Sequence, residues 1–187
     1  MNPFPLHTLE TAPSDAKEML ARITKRFGFL PNVYAHLAEA PAALEALSEL
    51  STIFGRTSLS ERQRHVLLLT SSVENVCTFC VAAHTRGAIA GGVSRQSIAA
   101  IRDRARPEDA EDAAMAAFVR AMIHSKGFVS DAEVAAFLAA GFAPRHALEV
   151  VLGVTLKILT NYANHLTHTE LNDQLAEFRW SPSPEET

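Results

Sequence analysis

Two cysteines are all the chain has, at Cys77 and Cys80 in the stretch "ENVCTFCVAAH", with His84 four positions after the second. A thiol reacts as its thiolate, and a free cysteine with a pKa near ~8.5 is mostly protonated at neutral pH. Three features here would lower that value: a place in the first turns of a helix, a second thiol, and an imidazole one turn away. A histidine titrating near ~6.5 takes a thiol proton and returns one to a leaving group at physiological pH. The partner cysteine would then attack the oxidised one and close an intramolecular disulfide.

Spacing puts these groups together. On a helix that advances ~100° per residue, with Cys77 at zero, Cys80 falls near ~−60° and His84 near ~−20°. Glu74 falls near ~+60° if the helix already includes it, so all four share a ~120° arc. From there Glu74 would orient His84 or pass it a proton. Zinc is a second reading, because Cys-x-x-Cys plus a histidine supplies three ligands. With no second cysteine pair in the chain, His124, His165 or His168 would have to complete that shell. Two cysteines that only fill core space are the third reading.

The elements that must hold this site read as helices throughout. Ser14 precedes an amphipathic stretch ending at Gly28. Pro31 and Pro41 open two further helices, the second stopping at Gly55. "SLSE" (Ser58 to Glu61) and "SDAE" (Ser130 to Glu133) have the pattern of capping boxes. The cysteine segment should run helical to Gly91 and Gly92. The closing helix is apolar nearly all round from Leu148 to Leu159, which predicts burial inside a bundle or at a subunit interface. No alternating strand pattern competes, so the fold class is all-α with eight to nine helices. Both capping boxes follow a glycine and lead into an apolar helix, an echo that suggests a duplicated unit. The expected organisation is one domain over residues 1–178 with an N-terminal extension, and a disordered proline- and serine-rich tail over 179–187.

Bulk properties narrow the function classes. A net charge of −4 without a basic cluster argues against nucleic acid as a partner. No run of about 18 apolar residues exists to span a membrane, and the first residues lack the charged-then-apolar layout of a secretion signal. Two cysteines in such a chain suit redox or metal chemistry better than a structural staple, and a cytoplasmic location is expected.

The segment Glu61 to Ser94, "ERQRHVLLLTSSVENVCTFCVAAHTRGAIAGGVS", resembles the alkylhydroperoxidase D-like branch of the carboxymuconolactone decarboxylase superfamily. The hallmark Asn-x-Cys-x-x-Cys-x-x-x-His is matched by Asn75, Cys77, Cys80 and His84. Looser similarity to peroxidase-related members extends from "FGFLPNVYAHLAEAPAALEAL" to "LTNYANHLTHTEL". The resemblance implies an orthogonal helical bundle assembled as a trimer or hexamer. It also implies a thiol-dependent peroxidase or disulfide reductase that needs no bound cofactor or metal. In that scheme Cys80 attacks the hydroperoxide, Cys77 resolves it as a disulfide, His84 activates the nucleophile, and a dithiol or lipoyl-bearing protein returns the electrons. Members without such a redox role include lactone decarboxylases, for which His84, His65 and Glu74 would serve as acid–base groups.

One departure stands out. The position twelve before the first cysteine, where relatives carry a relay glutamate, is His65. Either Glu74 reaches the site from another turn, or His65 carries the proton. "NYANH" (Asn161 to His165) places amides and an imidazole near the end of a buried helix, where His165 would border the pocket or a subunit contact. Asn75 would cap the cysteine helix, and Tyr34 or Tyr162 would offer a hydroxyl.

Overall fold

The protein is described here as a computed structural model covering residues 2–182. Among these residues the chain forms nine α-helices: α1 (Ser14–Phe27), α2 (Asn32–Leu37), α3 (Pro41–Phe54), α4 (Glu61–Glu74), α5 (Thr78–Ala90), α6 (Arg95–Arg102), α7 (Ala110–His124), α8 (Asp131–Ala139) and α9 (Pro144–Thr167). A short 3-10 helix (Asp173–Phe178) follows, and the described residues contain no strand. No single helix among them is long and apolar enough to cross a membrane.

The hub is α4, which packs against α5, α6, α7 and α9. Its residues 66–73 are buried without interruption. That requires small polar side chains able to satisfy themselves, and Ser71 and Ser72 do so by donating to the Leu67 and Leu68 carbonyls at 2.9 and 2.7 Å. α9 can approach closely because Gly153 has no side chain. A Cβ there would stand 2.6 Å from Leu67 and 2.8 Å from Phe54. The buried face of α9 then continues one turn at a time through Lys157, Asn161 and Asn164, toward the start of α5.

Local signals set the boundaries, with one shift. The capping box of α4 is formed by Ser60 with Gln63, two residues later than the Ser58–Glu61 pattern suggests. Ser58 instead spends its N–H and hydroxyl on the Glu149 carboxylate of α9. The Ser130–Glu133 box of α8 forms as expected. A second correction concerns the tail. Residues 179–182 are not frayed: Trp180 is buried, its Nε1 donates to the Arg102 carbonyl at 3.2 Å, and Arg102 donates back to the Arg179 carbonyl at 2.8 Å. The rest of that segment, 183–187, lies outside the described residues.

Helix α9 carries apolar side chains on two faces. One face is core, but the other leaves Leu148, Val151, Ile158, Tyr162 and Leu166 exposed, Leu148 by 74%. This apolar stripe at helical spacing lies on the surface of the single chain.

Candidate active site

The cysteine helix begins later than an unbroken helical stripe requires. α4 ends at Glu74 with Asn75 as its C-cap, and Val76 takes a left-handed backbone (φ 53°). The Val76 and Cys77 N–H groups reach back to the Val73 and Ser72 carbonyls, both at 2.9 Å, which closes a Schellman-type end. A β-branched residue there costs ~1–2 kcal/mol relative to ordinary backbone. Cys77 is therefore the N-cap of α5, outside the helix proper, and Cys80 is its third residue. The positive end of the helix dipole faces Cys80, as its place in the first turn demands.

Three side chains from α9 complete the site. Asn164 Nδ2 donates to Cys80 Sγ at 3.2 Å and to Cys77 Sγ at 3.6 Å, bridging both sulfurs. Lys157 Nζ lies 2.8 Å from His84 Nε2 and 3.0 Å from Thr160 Oγ1. Lys157 is only 2% exposed. Among the described residues no carboxylate comes within ion-pair distance of it. A buried ammonium without a counter-ion is costly, and the Cys80 thiol, on which the Lys157 charge acts, is able to become an anion.

The electrostatics follow that logic. Burial alone would push the Cys80 thiol up. It is outweighed chiefly by Cys77 and by the nearby Lys157 charge, so Cys80 titrates below the ordinary thiol range. Cys77 moves the other way, because it donates its proton to Cys80 and is itself buried. The pair thus separates into a thiolate and a thiol. Burial, then the charges of Lys157 and His65, hold His84 well below the usual imidazole range. His84 is neutral and accepts at Nε2 from Lys157.

Cys80, His84, Lys157 and Thr160 line a cavity of about 430 Å³ whose other walls are mainly apolar, including Phe29, Val33, Leu47, Phe54 and Phe79. His65 also borders it. Its ring lies flat against α5 where Gly87 and Gly91 leave room; a Cβ on Gly87 would stand 2.7 Å from the ring. Burial lowers the pKa of His65, and its Nδ1 is buried without a partner among the described residues.

Of the residues picked from sequence, Cys77, Cys80, His84 and His65 are brought together. Glu74 is not. It turns away into a cluster with α7, where Arg120 Nε and His124 Nε2 each lie 2.9 Å from its carboxylate and Arg104 Nε lies 3.8 Å away. The physical reason is the helix break: with α4 ended at Glu74, the ~100° step assumed for one continuous helix no longer applies. His165 is also absent, stacking on exposed Tyr162 at the surface. Asn75 stands behind the cysteines rather than capping α5, donating to Asn161 Oδ1 at 3.0 Å. Tyr34 lines the cavity. The histidines suggested for zinc do not converge on Cys77 and Cys80, and no three His, Cys, Asp or Glu side chains among the described residues form a metal-binding group.

Sequence reasoning missed Lys157. The available signal was a single lysine inside the apolar run "LGVTLKILT", where a charge needs a buried purpose. Glu74 instead serves the frame. Glu74→Gln, which leaves Arg120 and Arg104 facing a neutral amide, is expected to cost ~2–3 kcal/mol. The urea midpoint should fall while the thiol reactivity per folded molecule stays near wild type.

Residues 38–122 match the model of the carboxymuconolactone decarboxylase family. No curated protein matches the sequence. Among solved structures, the AhpD-core, peroxidase-related protein from Ralstonia eutropha JMP134 superposes with a TM-score of 0.81 at 20% identity, covering 92% of this chain and 93% of that one. A peroxidase-related protein from Silicibacter sp. TM1040 gives 0.78 at 21% identity over 95% and 94%. The debrominase Bmp8, in complex with 2,3,4-tribromopyrrole, gives 0.73 at 14% identity over 88% and 89%. The match to the carboxymuconolactone decarboxylase family is confined to residues 38–122, and the chain as a whole has the AhpD-like all-helical fold.

Proposed function

We propose that the protein is a thiol-dependent peroxidase that reduces organic hydroperoxides with Cys80 as nucleophile and Cys77 as resolving thiol. The observation that carries this reading is the buried Lys157 beside His84 and Cys80, without a carboxylate partner among the described residues, at the closed end of an apolar cavity. Such a lysine is placed to hold a thiolate.

The Cys80 thiolate attacks the distal peroxide oxygen, the O–O bond breaks, and the leaving alkoxide takes a proton from the hydrogen-bonded Lys157–His84 pair, giving an alcohol and a sulfenic acid on Cys80. Lys157 and His84, now one proton short, accept the Cys77 thiol proton. Cys77 then attacks the Cys80 sulfur, and hydroxide leaves with that proton as water. An external dithiol, carried by a small molecule or a lipoyl-type protein, reduces the disulfide by exchange and regenerates both thiols. Asn164, in contact with both sulfurs, keeps them aligned through the cycle.

The test is turnover with cumene hydroperoxide and a dithiol reductant, with metal content recorded for the same sample. Disulfide formation stoichiometric with alcohol release supports the reading. A wild-type enzyme whose thiols are not oxidised by any organic hydroperoxide sinks it.

Assembly is part of the proposal. The exposed stripe of α9 suits a second copy of the chain, in keeping with a homo-oligomer. Leu148→Glu combined with Ile158→Glu is expected to shift the mass measured by light scattering toward the monomer, with helicity retained. An unchanged mass would remove α9 as the interface.

A further inference from the structure

The cavity has a second polar end. Arg26, Tyr34 and Ser51, from three different helices, border both the 430 Å³ cavity that ends at Cys80 and an adjoining one of about 240 Å³ between α1 and α3. These three residues form the neck between the two spaces. Arg26 makes no ion pair with a carboxylate among the described residues, and its guanidinium is steadied over the Phe27 ring at 5.3 Å from the centroid. Neither the Tyr34 nor the Ser51 hydroxyl has a hydrogen-bond partner among the described residues. Two donors and a free cation around one neck are the groups a carboxylate needs. Arg22 and Glu49 border only the space beyond it.

The two ends belong to one space. Tyr34 is half-buried and lines both spaces together with Arg26, while Cys80 lines the larger one. Between the ends the walls are hydrocarbon: Val33, Leu47, Phe54 and Leu68 offer nothing to a polar chain.

We propose that the substrate is an amphipathic hydroperoxide with an anionic head, its carboxylate held at the neck by Arg26 with Tyr34 and Ser51, its hydrocarbon body against the apolar walls, and its hydroperoxide at Cys80. This rests on the peroxidase reading for the reactive end and on the neck alone for the anionic end. Binding at the neck requires no chemistry, so the two are separable by experiment.

Turnover of linoleic acid hydroperoxide is compared with that of its methyl ester in wild type, Arg26→Gln and Arg26→Lys. Wild type is expected to favour the acid over the ester about tenfold in kcat/KM, chiefly through KM, as one charge-assisted contact provides. That preference should shrink toward unity in Arg26→Gln, survive in part in Arg26→Lys, and weaken with salt. In parallel, calorimetry measures decanoate and methyl decanoate binding to the reduced protein. Decanoate should bind wild type about tenfold tighter than it binds Arg26→Gln. Equal kcat/KM for acid and ester in wild type, or an acid preference untouched in Arg26→Gln, overturns the proposal. If no hydroperoxide oxidises the thiols while decanoate still binds through Arg26, the peroxidase reading fails and the anionic subsite stands. If decanoate binds both forms equally, the subsite fails whatever the turnover.

Discussion

Cys80→Ser is expected to lower hydroperoxide turnover by roughly a thousandfold or more, because it removes the atom that forms the new bond. The structure makes the two cysteines unequal, so their variants should fail differently. In Cys77→Ser the nucleophile remains, with its Asn164 contact and the Lys157 charge acting on it. That variant should consume about one equivalent of hydroperoxide, stop, and hold a sulfenic acid on Cys80 that a dimedone-type reagent traps. Cys80→Ser should show no burst. Mass spectrometry of the trapped adduct, with stopped-flow consumption of hydroperoxide, distinguishes the two. Sustained turnover by Cys77→Ser would mean that the external dithiol reduces the Cys80 sulfenic acid directly, without a resolving thiol. A burst in Cys80→Ser would exchange the roles of the cysteines.

Lys157→Met carries the second large effect. Methionine keeps most of the side-chain volume and removes the charge. In wild type, burial raises the Cys80 pKa, but the Cys77 hydrogen bond and Lys157 more than offset this, leaving the thiolate populated at neutral pH. A depressed thiol pKa gives a rate that is already near its plateau at pH 7 and falls only as pH drops through that lowered value. Without Lys157 the burial effect is less opposed, the pKa rises, and the rate at pH 7 falls ~10–100-fold, climbing again toward pH 9. His84 moves too, since the Lys157 charge is one of the influences holding its pKa down. Ultraviolet titration of the thiolate checks the shift without turnover. Stability should stay equal or rise, because a buried charge has gone. A thiolate titration identical to wild type would mean that Lys157 serves packing alone.

The candidate site was unusually legible in the sequence because its spacing is local. Cys77, Cys80 and His84 lie within eight residues, and any helical start near Cys77 brings them to one side. Glu74 misled for the same reason. Its place in an arc depended on one unbroken helix, and the left-handed Val76 breaks it. Nothing in "ENVC" announces that turn, since glycine or asparagine is the usual residue there. Asn161 and Asn164 were visible as amides near a helix end, but their target was not.

By itself, then, the sequence determined the all-helical class, the approximate helix starts, and the two thiols of the candidate site. These are set by periodicity, caps and short spacing, all effects that act within a few residues. Only the tertiary structure decided which groups surround the thiols. Lys157 and Asn164 are 77 and 84 residues from Cys80, and they arrive because Gly153 lets α9 close onto α4. The same packing turned Glu74 toward Arg120 and His124 and set Arg26 beside Tyr34 and Ser51 at the far end of the cavity. Such partnerships depend on how helices cross, and crossing geometry follows from side-chain packing between distant segments.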